Sequence, residues 1–229
     1  MKTLGILGGM GPLATADLFY KIINLTQAKC DRDHIHIITD NYCEIPDRSA
    51  YILGGGEDPI DHMSEAARKL ESIGADFLVM PCNTAHYFYS ELSKRVDIPF
   101  LNMIEETASY LAGEERVGLL ATEGTYSAKL YEGAFLPRNI KVVTPDEDIK
   151  KLINTLIYNF KGGRGAGEED LFTILKHFRS KGVDKLILGC TELPLIFKGV
   201  VSDMTLVDPT EILAVAAIRY AGKEVVGIN

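Results

Sequence analysis

The sequence has no tryptophan, no CxxC pair and no apolar run long enough to span a bilayer. Four cysteines, Cys30, Cys43, Cys82 and Cys190, spread over 229 residues do not make a disulfide scaffold. Reduced thiols are the default in cytosol, the compartment expected for this chain. Basic side chains are outnumbered, with 24 Lys and Arg against 32 Asp and Glu and a net charge of −8. That balance argues against nucleic acid or an anionic membrane as the partner. A small anionic substrate is not excluded, because its binding depends on local charge. Metal-ligand spacing is missing too. Cys82 and His86 can share one face of a helical turn, but no second ligand pair accompanies them, so no metal site is expected. Met1-Lys2 and the stretch ending in Ala14-Thr15-Ala16 have the outline of a signal peptide. The density of Gly5, Gly8, Gly9, Gly11 and Pro12 reads instead as a strand entering a tight loop.

What is present is an alternation. Short apolar runs at Leu4–Leu7, His36–Thr39 and Phe77–Met80 are each followed by a longer amphipathic stretch. Helices are expected over Pro12–Thr26, Asp58–Ile73 and Ala85–Arg95. This is the pattern of βαβ units and a largely parallel sheet. Pro12 suits a first helical turn, and Gly74 and Gly182 stand where helices should end.

One plan runs twice. Gly5-Ile6-Leu7-Gly8-Gly9-Met10-Gly11 has its counterpart in Gly118-Leu119-Leu120-Ala121-Thr122-Glu123-Gly124-Thr125. The run ending in Cys82-Asn83-Thr84 matches the run Lys185–Leu188 ending in Gly189-Cys190-Thr191. Gly9 to Cys82 spans 73 positions and Thr122 to Cys190 spans 68. The expected fold is two pseudo-symmetric α/β lobes, each a mostly parallel sheet flanked by helices, with a cleft between them. The first lobe is placed at 1–110 and the second at 111–209. A C-terminal helix in 210–229 is expected to pack back on the first.

In open parallel sheets ligands bind beyond the carboxyl ends of the strands. Cys82 and Cys190 both stand there, at expected helix starts, where a thiol pKa falls below its ordinary value of about 8.5. The bland reading of one such cysteine is a small hydrophobe ending a strand. Two at equivalent points of a repeated plan favour function. Inverting a stereocentre needs a base on one face of the α-carbon and an acid on the other, and two facing sulfurs supply both. Donors around Asn83, Thr84 and Thr191 suit the developing negative charge. Arg48, in Ile45-Pro46-Asp47-Arg48-Ser49, suits a substrate carboxylate, with a solvated loop arginine as the alternative. Asp47 beside it and Glu192 after Cys190 are supporting candidates. Lys161-Gly162-Gly163-Arg164-Gly165 reads as a cationic loop, either a lid or a surface connection. Cys30 and Cys43 are assigned to packing, and His34, His36, His62 and His177 to solvated faces or packing. Gly9-x-Gly11-x-x-Ala14 also fits a dinucleotide fingerprint, but the acidic residue it needs is badly placed in Asp31, Asp33 or Asp40.

Taken together, LGILGGMGPLATA, IPDRSAYILGGGEDP, MPCNTAH, MIEETA, LLATEGT, GCTEL and VDPTE resemble the aspartate/glutamate racemase superfamily over essentially the whole chain, most nearly its aspartate racemases. The resemblance implies a cofactor-independent enzyme, commonly a dimer, with Cys82 and Cys190 as its two bases. It places Met10, Asn83, Thr84, Thr125 and Thr191 near the substrate's α-carboxylate and amino group. It assigns Arg48 to the side-chain carboxylate, and Lys161, or else Arg164, to closing the site. Rival readings are a glutamate or broad-specificity racemase, an isomerase or decarboxylase of small diacids, and an amino-acid sensor without chemistry.

Overall fold

The computed structural model describes residues 2–226; Met1 and the end of the expected C-terminal segment, 227–229, lie outside them. β1 (Leu4–Gly8) is buried along its whole length, as an unbroken apolar run in a parallel sheet requires. α1 (Pro12–Leu25) opens on Pro12, whose missing N–H costs nothing in a first turn. β2 (Ile37–Asn41), α2 (Arg48–Ile52), α3 (Ile60–Ser72) and β3 (Phe77–Val79) follow. The expected continuous helix over Ala85–Arg95 is instead a 3₁₀ turn over Thr84–Phe88 and then α4 (Tyr89–Leu92). Consecutive aromatics at Tyr87, Phe88 and Tyr89 lose rotamer freedom in an α-helix, and the tighter turn folds His86 back onto the Cys82 carbonyl.

α5 (Met103–Tyr110) precedes β4 (Arg116–Ala121), and the plan begins again with α6 (Glu123–Ser127), α7 (Leu130–Phe135), β5 (Lys141–Val143) and α8 (Glu147–Lys161). α9 (Glu168–Ser180), β6 (Lys185–Gly189), α10 (Leu193–Ile196), β7 (Thr205–Val207) and α11 (Pro209–Tyr220) complete it. Gly74 and Gly182 follow α3 and α9 with φ of +100° and +68°, the left-handed helix ends expected of them.

Two parallel sheets result, ordered β2-β1-β3 and β5-β4-β6-β7. In each, the first strand in sequence lies between the next two, so β1 corresponds to β4 and β3 to β6. Beyond β3, Phe100 makes a parallel bridge to Leu78, where β7 pairs with β6 in the other sheet. The chain is therefore the two-lobed α/β fold that the repeat implied. Each sheet has its crevice where strand order reverses, at the carboxyl ends of β1 and β3 and of β4 and β6.

Leu213, Ala214, Ala217 and Ile218 of α11 are buried with Leu4, Ile6, Leu18, Ile22, Phe77 and Val79. Lys21 Nζ, 2.6 Å from Asp208 Oδ2, ties α1 to the start of α11. Burying each such large apolar side chain contributes roughly 1.5–3 kcal/mol, so α11 is core rather than appendage. The lobes touch where α2 meets α6. A Cβ on Gly124 would stand 2.8 Å from the Ser49 Cα, a separation only glycine allows. Cys30 and Cys43, assigned above to packing, are both exposed. Cys30 precedes a 3₁₀ turn, and Cys43 lies past the end of the edge strand β2, so neither has a core to enter. Among the described residues no helix is long and apolar enough to cross a membrane.

Candidate active site

The β1–α1 loop is tied down by a side chain of the helix it enters. The Gly9 N–H donates to Thr15 Oγ1 at 2.9 Å, and that hydroxyl donates to the Gly11 carbonyl, also at 2.9 Å. A Cβ on Gly11 would stand 3.1 Å from Oε1 of Glu192. The engaged Gly9 amide and the nearby Glu192 carboxylate both count against a pyrophosphate in this loop.

Cys82 and Cys190 line one cavity, each 6% exposed. The first lobe brings Met10, Asp47, Arg48, Ser49, Asn83 and Thr84 to it. The second brings Thr122, Lys161, Thr191 and Glu192. The space they leave holds about one water molecule. Of the residues singled out in the sequence, Thr125 stands a layer behind, fully buried, and Arg164 lies outside the lining.

The surroundings of the two sulfurs differ. Cys190 Sγ donates to Glu192 Oε2 at 3.0 Å, and Thr191 Oγ1 donates to the same oxygen at 3.4 Å. Burial first, and then the Glu192 carboxylate, push the Cys190 thiol well above its ordinary range, against an opposing pull from Lys161. This corrects the expectation of a lowered pKa. The helix after Cys190, α10, has only four residues, and so short an element offers little dipole.

On the Cys82 side, His86 Nε2 accepts the Met103 N–H at 3.0 Å. Nδ1 therefore carries the proton and donates to the Cys82 carbonyl at 2.8 Å. Burial lowers the His86 pKa to about 4, so the imidazole is neutral. With both nitrogens committed to backbone, it is a strut for the Cys82 turn. No group of three or more His, Cys, Asp and Glu side chains among the described residues is placed to hold a metal ion.

Hydroxyls close the interior. Thr84 Oγ1 lies 2.8 Å from Thr122 Oγ1 and 3.0 Å from Thr125 Oγ1, and Thr122 and Thr125 are 3.1 Å apart. Ser49 Oγ donates to Thr122 Oγ1 at 3.3 Å, so the cluster spans both lobes. Asp47 caps α2 by accepting the Ala50 N–H at 2.8 Å, which fixes where Arg48 starts the helix. Arg48 Nη1 donates to the carbonyls of Ile45 and Pro46, and its buried Nε has no partner among the described residues. Lys161 is the last residue of α8 rather than part of a loop. Its Nζ lies 3.8 Å from Glu192 Oε1, with the side chain 28% exposed. Burial disfavours its charge, but Cys190, Glu192 and Cys82 more than offset this and hold the ammonium above the usual lysine range. Arg164 lies beyond the helix end, exposed and outside the cavity lining.

Thr122, Ser49 and His86 were not singled out from sequence. Thr122 follows β4 as Gly9 follows β1, so the strand-end rule pointed to it. Ser49 is adjacent to Arg48, and His86 carried no signal beyond its spacing from Cys82.

The chain matches the Asp/Glu/Hydantoin racemase family over residues 7–217. It belongs to that family. Among solved structures, this racemase-family chain resembles the aspartate racemase of Picrophilus torridus, with 37% identity and a TM-score of 0.84, covering 98% of this chain and 96% of that one. It is 28% identical to the broad-specificity amino-acid racemase RacX of Bacillus subtilis over 94% of this chain and 96% of the relative. It is 31% identical to a glutamate racemase of Desulforudis audaxviator over 72% of this chain and 63% of the relative.

Proposed function

We propose that the chain racemises aspartate without a cofactor, with Cys82 and Cys190 as paired acid and base. The observation that carries this is the meeting of two thiols in one cavity, each following the equivalent strand of its own lobe. In one direction a thiolate takes the α-proton from one face and the opposite thiol delivers its proton to the other face. The carbanion is neutralised, and the two sulfurs have exchanged protonation states. Burial and the Glu192 carboxylate favour the protonated form of Cys190, so in that direction it is the thiol that delivers the proton. Because the sulfurs act as a pair, activity reports coupled titrations rather than either residue alone.

Several features favour a short diacid. Arg48 keeps a buried N–H free for a carboxylate, and Lys161 adds a second cation at the mouth. The cavity has room for about one water molecule and is too narrow as it stands for any amino acid. The end of α8, or the contact of α2 with α6, therefore yields as substrate enters. The similarity to an aspartate racemase supports the same choice.

The test is chiral chromatography of L- and D-aspartate, each incubated with reduced protein in deuterated buffer without added cofactor. Both should converge on an equal mixture with deuterium in the product. Cys82→Ser and Cys190→Ser should each abolish racemisation, while Cys30→Ser, at an exposed position, should match the parent. Full activity in either active-site variant would overturn the two-thiol mechanism. Conversion of glutamate but not aspartate would move the substrate assignment and leave the mechanism standing.

A further inference from the structure

Asn83 follows Cys82, is 2% exposed, and has a carboxamide with two unlike ends. Oδ1 is bound by the hydroxyl of Tyr131 at 2.6 Å. Nδ2 is buried and has no partner among the described residues. Tyr131 belongs to α7 of the second lobe, whereas Asn83 belongs to the first. Its ring is fully buried, with the Phe135 ring centroid 5.6 Å away. Burial pushes the phenol pKa upward, so the hydroxyl always carries its proton. A separation of 2.6 Å suits O–H···O rather than N–H···O, which places the amide oxygen, not its nitrogen, against Tyr131.

We propose that Tyr131 is a positioning residue that holds the Asn83 amide with its NH2 turned to the cavity, as a donor for the substrate's α-carboxylate. The proposal rests on the racemase reading above. An amide free to rotate by half a turn presents oxygen as readily as NH2, and an oxygen facing a carboxylate repels it. The phenol removes that choice before substrate arrives. Since the two residues come from different lobes, the donor is set only while the lobes stand in this arrangement, so lobe closure and carboxylate binding are linked.

Tyr131→Phe keeps the ring and its packing and deletes only the hydroxyl. With aspartate, KM should rise about tenfold while kcat falls less than threefold. Asn83→Ala should raise KM at least as much, and adding Tyr131→Phe to it should change KM by less than twofold. Equal, additive losses in both backgrounds would show a general packing effect and overturn the proposal, as would an unchanged KM in Tyr131→Phe. A second measurement does not depend on turnover. The Asn83 side-chain NH2 pair in a 1H–15N spectrum, assigned by its absence from Asn83→Ala, should shift and broaden in Tyr131→Phe. An unmoved pair overturns the orientation whatever the substrate is. A shifted pair in a protein that fails to racemise aspartate leaves the orientation standing and removes the function reading instead.

Discussion

With both ring nitrogens bound to backbone groups, His86 has no site for a second proton unless the turn carrying Cys82 opens. Its folded pKa of about 4 lies below the ordinary 6.5, so the unfolded chain takes up the proton first. The stability this group contributes is therefore present above about pH 6.5 and is lost as pH falls through about 4. Between pH 7 and pH 5 the loss comes to about 2 kcal/mol. Urea unfolding at the two pH values should show that extra loss in the parent and not in His86→Gln; parallel losses in both proteins would remove the role assigned to this ring. At this scale the sequence was partly legible. Cys82, Cys190 and Thr191 could be placed in one cavity from the sequence because strand ends face the crevice of a parallel sheet. Tyr131 could not, since nothing local in an amphipathic stretch 48 positions from Asn83 marks it as a neighbour.

Among the elements, the contact of α2 with α6 bears most directly on activity. A methyl at Gly124 would meet both the Cα and the Oγ of Ser49 at 2.8 Å, and α2, carrying Arg48, would have to retreat. Gly124→Ala should lower kcat/KM for aspartate by about tenfold or more while lowering the melting temperature by only a few degrees. Gly133→Ala is the control, because nothing lies within 4 Å of a Cβ there. In a helix that change stabilises by roughly 0.5–1 kcal/mol, so activity should stay at the parent level. Unchanged kinetics in Gly124→Ala would mean that α2 is not held in place from across the lobe boundary. Periodicity found β1, β2, β3, β6, α1 and α3 to within two residues, whereas β5, β7, α8 and α9 were not read from it. It failed after β3, where the chemistry of one tight turn overrides the amphipathic pattern of Ala85–Arg95. It failed also at Lys161, where the glycines after the lysine concealed that α8 continues through it.

For the whole molecule, the duplicated plan was readable because each lobe repeats the same local signals in the same order. How the lobes face each other, and which sulfur keeps a proton, depend on contacts between positions far apart in the chain, such as Ser49 with Thr122 and Lys161 with Glu192. The duplication is also imperfect in one respect: Glu192 stands beside Cys190, whereas the residue two positions after Cys82 is Thr84. Mirror-image substrates have identical free energies in solution, so kcat/KM must be the same whichever enantiomer is offered. On the proposed two-thiol mechanism, a lopsided pair of proton carriers can then appear only as a split between its two factors. One enantiomer should turn over faster and bind more weakly, the other more slowly and more tightly, with the ratios cancelling. Glu192→Gln should draw the two kcat values together in progress curves started from each pure enantiomer. Equal values in the parent, or a ratio that the substitution leaves untouched, would show that the carboxylate has no part in the difference. In this reading, Glu192 makes the two directions unequal in kcat and KM while their kcat/KM stays the same.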